Sequence, residues 1–312
     1  MRLRVLPSAR AAALRPLLER LDASIDRAER IAADPVEFPR AQRTPADAEV
    51  AGLLAVSLAY GRAELFKPVV ARVLAAMGPS PARYAEAFAV APDPAAFDGI
   101  VYRFNRPPDL RALVAGIGAV RRRHGGLGAR LAALFAAQGA APRARRPALA
   151  RLAAEVRDAP EARALLGRRG QRGLRHLLTD PAGPGPAKRW NLYLRWMVRG
   201  PDQVDLGLWR GVPASALVIP LDTHVHRVAR ALGLTARPDA SWRTAEEITA
   251  ALRRVDPDDP VRFDFALCHL GMSGRCPARR DPARCEACLL AGECRGRARL
   301  RPAGRLTSGT RR

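Results

Sequence analysis

An all-α fold is what this 312-residue sequence predicts. Three observations predict it. Apolar residues recur with the helical period along most of the chain, helix-start and helix-stop chemistry brackets those runs, and no segment alternates apolar and polar residues as a half-buried strand would. With 48% hydrophobic residues the chain is rich enough to bury a core. No uncharged apolar run reaches membrane-spanning length, so no membrane partner is expected. Met1 to Leu18 carries arginines throughout and has no continuous apolar stretch, so a secretory leader is not expected and the reading is cytoplasmic.

Each element has a local reason. Thr44-Pro45-Ala46-Asp47 offers a hydroxyl cap, a first-turn proline and an early acid, and Val50, Leu53, Leu54, Ser57 and Leu58 then share one face. Leu65, Val69, Val70, Val73, Leu74 and Met77 form the next stripe, stopped by Gly78-Pro79. Leu110, Leu113, Val114, Ile117 and Val120 form another, ended by Gly125-Gly126. Ala141 to Pro147 reads as a small basic loop. Asp180 to Pro186 is too rich in proline and glycine for a helix interior and leads into a helix from Lys188 to Arg199. Pro220 blocks helix upstream of Asp222, which then suits an N-cap ahead of Val225, Val228, Ala229 and Leu232, with Gly233 as the stop. Thr244 and Glu247 are spaced as a capping box, and Asp259-Pro260 is expected to open a helix carrying Val261, Phe265 and Cys268. The expected organisation is an N-terminal helical arm (1–43), a main helical domain (44–275), a cysteine loop (276–295) and a basic disordered tail (296–312).

The formal charge is +23, a field that attracts polyanions. Lysine occurs only at Lys67 and Lys188, so arginine supplies all but two of the 53 basic residues. That preference has a compositional explanation, but the excess over acids does not, and it points to nucleic acid. All five cysteines, Cys268, Cys276, Cys285, Cys288 and Cys294, lie in the last part of the chain. The last four read C-x8-C-x2-C-x5-C, a density and spacing that suit four thiolates around zinc or an iron–sulfur cluster. Cys268, on an apolar helical stripe, reads as a buried structural thiol.

Lys188 begins a helix 34 residues before Asp222. A deprotonated lysine amine can attack a sugar C1′ and form a Schiff base, which an arginine cannot. Asp222 taken alone is a helix cap. Trp190, Tyr193 and Trp196 are either core or base-stacking residues, and His224 and His226 serve packing or phosphate contact.

The order Leu270-Gly271, Gly274-Arg275-Cys276 and the x2 and x5 spacings resemble the C-terminal cluster loop of endonuclease III and the adenine glycosylases, members of the helix-hairpin-helix DNA glycosylase superfamily. Pro220-Leu221-Asp222-Thr223-His224, followed by Arg227, resembles the catalytic-aspartate segment of that superfamily, and the interval from Lys188 to Asp222 resembles that of the archaeal 8-oxoguanine glycosylases. The strongest overall resemblance is to the domain-of-unknown-function 2400 family, through Ala59-Tyr60-Gly61-Arg62, Tyr102-Arg103-Phe104-Asn105, Gly173-Leu174-Arg175-His176-Leu177, the Lys188 to Arg199 run and Val204-Asp205-Leu206-Gly207.

The resemblance implies a two-lobed helical glycosylase-like domain with its cleft between the lobes and a C-terminal cysteine-cluster loop. It implies a [4Fe–4S] cluster on Cys276, Cys285, Cys288 and Cys294, and Asp222 as a catalytic group beside the nucleophile Lys188. Arg189, Arg195, Arg199, Arg227 and Arg275 become candidate nucleic-acid contacts, with Arg279, Arg280, Arg284 and Arg295 on the loop. The implied activity is excision of a damaged or mispaired base from duplex DNA, with or without AP-lyase action, by a nucleoid-associated enzyme. The chain departs from the pattern in two places. The first cysteine gap is longer, which leaves zinc open. No Leu-Pro-Gly-Val-Gly hairpin is present, only Gly211-Val212-Pro213. That absence keeps two alternatives in view: a catalytically inactive DNA- or RNA-binding module retaining the fold, and an enzyme in which Asp222 activates water while Lys188 contacts phosphate.

Overall fold

The structure, a computed structural model, describes residues 5–141, 144–167, 170–279 and 281–295. Among them lie sixteen α-helices and no strand. Arg280 and the tail beyond Arg295 lie outside the described residues.

The first three helices are α1 (Ser8–Ala23), α2 (Arg27–Ala33) and α3 (Glu37–Arg40). Leu14, Leu18 and Leu21 of α1 are buried in the same apolar cluster as the rest of the chain. Helix α4 (Pro45–Leu58) starts where expected, with the Thr44 hydroxyl accepting the Asp47 N–H. Its burial is not confined to one face: every residue from Asp47 to Leu58 is buried, so it runs through the interior. In α5 (Ala63–Met77), Phe66, Val69, Val70, Val73 and Met77 face the core, while Leu65 is exposed. Then follow α6 (Pro81–Phe88), α7 (Pro107–His124), α8 (Leu127–Ala137), α9 (Arg145–Arg157), α10 (Pro160–Ala164) and α11 (Arg172–Leu177). The basic loop expected through Pro147 is shorter, because Arg145 is already helical, buried, and bonded to the Ala216 carbonyl.

Helix α7 packs against α6 and α9 on different sides, and glycine makes both approaches possible. A Cβ on Gly118 would stand 1.8 Å from the Ala85 carbonyl oxygen, and one on Gly116 would stand 2.0 Å from that of Val156. Helix backbones can come this close only where side chains are absent.

The second half carries α12 (Lys188–Val198), α13 (Thr223–Leu232), α14 (Trp242–Arg253), α15 (Asp264–Met272) and α16 (Pro282–Glu286). Two expected starts move. The cap of α14 is Ser241, whose hydroxyl accepts the Thr244 N–H, while Glu247 accepts the Thr235 hydroxyl instead of closing a box with Thr244. Residues 260–263 form turns, and α15 begins only at Asp264, because Asp259 is drawn to Arg199. Helix α15 packs against α13 and α1, which sets the floor of the site.

One buried carboxylate ties the first half together. Glu49 of α4 accepts bonds from the Leu127 and Gly128 N–H groups at the start of α8 (2.9 and 2.7 Å), from Trp209 Nε1 (2.9 Å) and from Arg121 of α7. It thereby satisfies helix N–H groups that have no partner within their own helix and sits at the positive end of the α8 dipole. Glu49→Ala, which leaves Arg121 only the partly exposed Glu86 carboxylate and strips the Leu127 and Gly128 N–H groups of their acceptor, is expected to cost about 3 kcal/mol. The urea midpoint should fall accordingly, and a midpoint equal to wild type would refute this role.

Candidate functional site

Asp222 and Lys188 meet. The extended backbone at Asp222 turns into α13, and its Oδ1 accepts the N–H groups of His224 (2.9 Å) and Val225 (2.8 Å). Its other oxygen, Oδ2, faces Lys188 Nζ at 3.4 Å and accepts from Cys268 Sγ at 3.6 Å. One carboxylate therefore starts a helix and holds a lysine at the same time. Lys188 is the first residue of α12, which the proline- and glycine-rich loop delivers with Ala187 in a left-handed conformation. The Lys188 side chain is 39% exposed and that of Asp222 14%, so the pair is reachable from outside yet shielded on one side.

Electrostatics follow from this geometry. Burial disfavours the charged carboxylate of Asp222, but Lys188 and the Val225 N–H outweigh it and hold the carboxyl below its ordinary range. Burial likewise works against the Lys188 cation, and the Asp222 charge outweighs it, so the amine sits above the ordinary lysine range. The resting pair is an ion pair, and Lys188 becomes a nucleophile only when a proton leaves it.

Three further groups surround the pair that the sequence reading missed. Cys268 of α15 is not only a core thiol. Its Sγ lies against Asp222 Oδ2 and 3.6 Å from Met272 Sδ, and burial followed by Asp222 drives its thiol well above the ordinary range. Asp34, which caps the end of α2, lies within charge range of Lys188 and Arg195 and accepts the Val36 N–H at 2.9 Å. Burial raises its carboxyl. Asp264 of α15 is buried and pushed up to about 6 by desolvation, with Arg195 opposing. The available signals were weak: an Asp-Pro pair at Asp34-Pro35, and the helical spacing of Asp264 and Cys268, four residues apart on one face.

The expected nucleic-acid contacts divide. Arg195 is corrected outright: it is buried, with Nε 3.1 Å from Asp205 and its other arm on Asp264. Arg199 is held by Asp202, Asp205 and Asp259. Arg189 donates to the carbonyls of Ser57 and His176, and burial draws its guanidinium down to about 10. Arg227 donates to the Gly271 carbonyl at 2.7 Å, which binds α13 to α15. Arg275, Arg279 and Arg295 are exposed without such a bond, Arg295 lying beside Gly233, while Arg284 is turned to Asp281 and the Gly274 carbonyl. Trp190, Tyr193 and Trp196 are core, the Trp190 indole donating to the Thr179 carbonyl and the Tyr193 hydroxyl to that of Glu49. His226 is bonded to the Arg237 carbonyl. Gly211-Val212-Pro213 forms no helical hairpin; it leads into a single 3-10 turn, Ala214–Ala216.

The cysteine loop supplies donors suited to a metal. Cys276, Cys285, Cys288 and Cys294 are free and half-buried. Cys276 lies within charge range of Cys294 and Cys288, and Cys288 within range of Cys294 and Cys285. Burial first, and then these neighbours, raise both thiols, an opposition that a cation would relieve. Among the described residues no three His, Cys, Asp or Glu side chains converge closely enough to hold one ion. The donor set fits in kind and in neighbourhood, short of convergence. A cavity of about 430 Å³ opens beside this loop, lined by Leu21, Leu270, Arg275, Arg284 and Cys288 among others, and does not include Lys188.

The model of DUF2400, a family described as protein of unknown function, matches residues 34–273, which takes in Asp34, Lys188, Asp222 and Cys268. The chain belongs to the DUF2400 family. No curated protein and no solved structure gave a match. Among the described residues no helix is long and apolar enough to cross a membrane.

The pair yields a signed prediction. Asp222→Asn keeps a cap oxygen but removes the charge that raises Lys188, so the neutral fraction of that amine should increase at a given pH. Reductive methylation at neutral pH, read by peptide mass, should modify Lys188 faster in Asp222→Asn than in wild type. Equal rates would show that Asp222 does not control the amine.

Proposed function

We propose that this protein is a DNA glycosylase that removes a damaged or mispaired base, with Lys188 as nucleophile and Asp222 as its proton acceptor. The observation that supports the reading most is the 3.4 Å approach of Lys188 Nζ to Asp222 Oδ2 in a partly open site. An acid–base pair of this kind in a strongly basic chain suits chemistry on a nucleic-acid sugar. In the proposed step the base has been drawn out of the duplex. Water is then excluded, which weakens the preference for separated charges and lets Nζ pass a proton to Oδ2. The amine lone pair forms the new bond to C1′ as the glycosidic C1′–N bond breaks, and the base leaves with the electrons of the broken bond and takes up the proton from Asp222 Oδ2. Once Asp222 has handed its proton on to the departing base, its carboxylate, held by α13, stabilises the positive charge left at the sugar without reorganising. The bound nitrogen then loses a proton, which Asp222 relays to O4′; the C1′–O4′ bond breaks as the nitrogen lone pair forms C1′=N, giving a Schiff base between Lys188 and C1′.

The same proposal gives the all-α chain the two-lobed arrangement of the helix-hairpin-helix glycosylases. Cys276, Cys285, Cys288 and Cys294 would hold a [4Fe–4S] cluster, with zinc as the alternative. When bound, that group supplies structural closure of the loop, and the four thiolates bring its residues to one centre. Purified protein should then be brown and contain iron and sulfide, and Cys288→Ala should lose both; a colourless protein with stoichiometric zinc would replace the cluster assignment.

The deciding experiment is borohydride trapping on duplex DNA with an abasic site. Wild type is expected to form a covalent adduct and Lys188→Ala none. The capture rate should rise as pH climbs through neutrality, because the raised amine must lose a proton. Tight binding without an adduct in either protein would move the assignment to the non-catalytic binding module or to the enzyme that activates water.

A further inference from the structure

Three sequence motifs far apart in the chain converge beside the start of α12. The Tyr60 hydroxyl donates to Asn105 Oδ1 at 2.6 Å, and Asn105 Nδ2 donates to the Gly173 carbonyl at 3.0 Å. Arg189, next to Lys188, donates to the His176 carbonyl and lies 5.8 Å over the Tyr60 ring. Tyr102 and Asn105 exchange both backbone bonds across a two-residue turn, so Arg103 and Phe104 form its tip. Arg103 occupies the left-handed region (φ +53°), a conformation that costs energy in a non-glycine residue. Gly61 (φ +84°) admits the turn, since a Cβ there would stand 2.9 Å from the Tyr102 hydroxyl.

The tip is an exposed aromatic on an aromatic base. Phe104 is 53% exposed, yet one side of its ring is packed: it stacks on Tyr60 at 5.9 Å and meets His176 edge-on at 4.3 Å. Burial, followed by Arg189 and Arg103, lowers the His176 pKa, which favours a neutral ring. Tyr60 and His176 therefore brace Phe104, and about half of its surface stays open to solvent. Nearby stand the exposed cations Arg103, Arg62, which meets the exposed Glu64 carboxylate at 3.5 Å, and Arg175, which donates to Gln171. A strained turn that holds an aromatic ring in water, with guanidinium groups nearby, suits a ligand that is both planar and anionic. An unpaired stretch of nucleic acid is such a ligand, because every base offers a π-face and every link a phosphate.

We propose that the Arg103-Phe104 turn is a stacking platform for an unpaired nucleobase, with Arg62, Arg103 and Arg175 on the flanking phosphates. The platform rests on the reading that the chain engages nucleic acid, and it does not depend on the chemistry of Lys188. Its position beside the helix that begins with Lys188 would let it hold one nucleotide of the strand while another reaches the Lys188–Asp222 pair.

The test uses the full-length protein and a single-stranded oligonucleotide carrying 2-aminopurine, whose emission is quenched by stacking. Wild type is expected to bind and quench. Phe104→Leu should lose the quench and bind about tenfold more weakly, the scale of one base–aromatic stack; Phe104→Trp should restore both. Arg103→Gly, which relieves the turn while removing the charge, should lower the salt slope of binding by about one. Circular dichroism identical to wild type is expected for these exposed positions. Binding and quench unchanged in Phe104→Leu would overturn the platform while leaving the nucleic-acid reading in place. No binding by wild type would overturn both. A platform that behaves as expected in a protein that forms no borohydride adduct would stand without the glycosylase assignment.

Discussion

Arg195 needs its charge paired inside the protein, and the geometry of the site follows from how that need is met. Its guanidinium is shared between Asp205, on the loop after α12, and Asp264, on the first turn of α15. A buried charge that loses its partner costs several kcal/mol, so α12 is fixed against α15 at that point. Lys188 lies two turns towards the start of α12, and Cys268 lies one turn along α15 from Asp264. Arg227 then secures α13 through the Gly271 carbonyl. Three helices are thus indexed to one another by guanidinium groups, and the approach of Lys188, Asp222 and Cys268 is the residue of that indexing.

The charge of +23 therefore does two kinds of work. Inside, arginines replace apolar contacts as connectors between distant segments: Arg121 joins α7 to Glu49, Arg145 reaches the Ala216 carbonyl, and Arg146 bonds the carbonyls of Pro181 and Gly183 while lying over Trp242. A planar fork with several donors suits carbonyl-rich loop ends better than a lysine ammonium does. Outside, a different set is left to face solvent, and Arg62, Arg103, Arg175 and Arg275 belong to it. A total charge is a statement about the field at a distance. It says little about which arginine touches a ligand.

That distinction explains what could be read beforehand. Helix starts governed by local chemistry, such as Thr44 and Asp222, were legible because a cap and its N–H partners lie within three residues. The pairing of Lys188 with Asp222 was legible for another reason: scarcity made the lysine conspicuous, and the resemblance of the Pro220–Arg227 segment to a catalytic-aspartate segment set Asp222 beside it. Arg195 and Arg199 were misassigned because on a helical wheel they look like solvent-facing cations, and only the arrival of Asp205, Asp259 and Asp264 from other segments turns them inward. Thr244 was misassigned as a cap because Ser241, three residues earlier, caps the helix and takes the Thr244 N–H, which places Thr244 at the third residue of α14. Asp34 escaped notice because the Asp34-Pro35 pair marks only a turn; its place beside Lys188 comes from α12 passing nearby.

Asp222 divides its two oxygens between architecture and the lysine. Mutational drift at such a position is filtered twice, by different criteria. Asparagine satisfies the first filter and fails the second; alanine fails both; glutamate brings the charge but overshoots the cap. Within the homologous chains, aspartate held against asparagine would therefore report selection on charge, whereas free exchange of the two would report selection on helix geometry alone. The division of labour within one side chain makes evolutionary history itself a reagent for telling a working site from a retained scaffold.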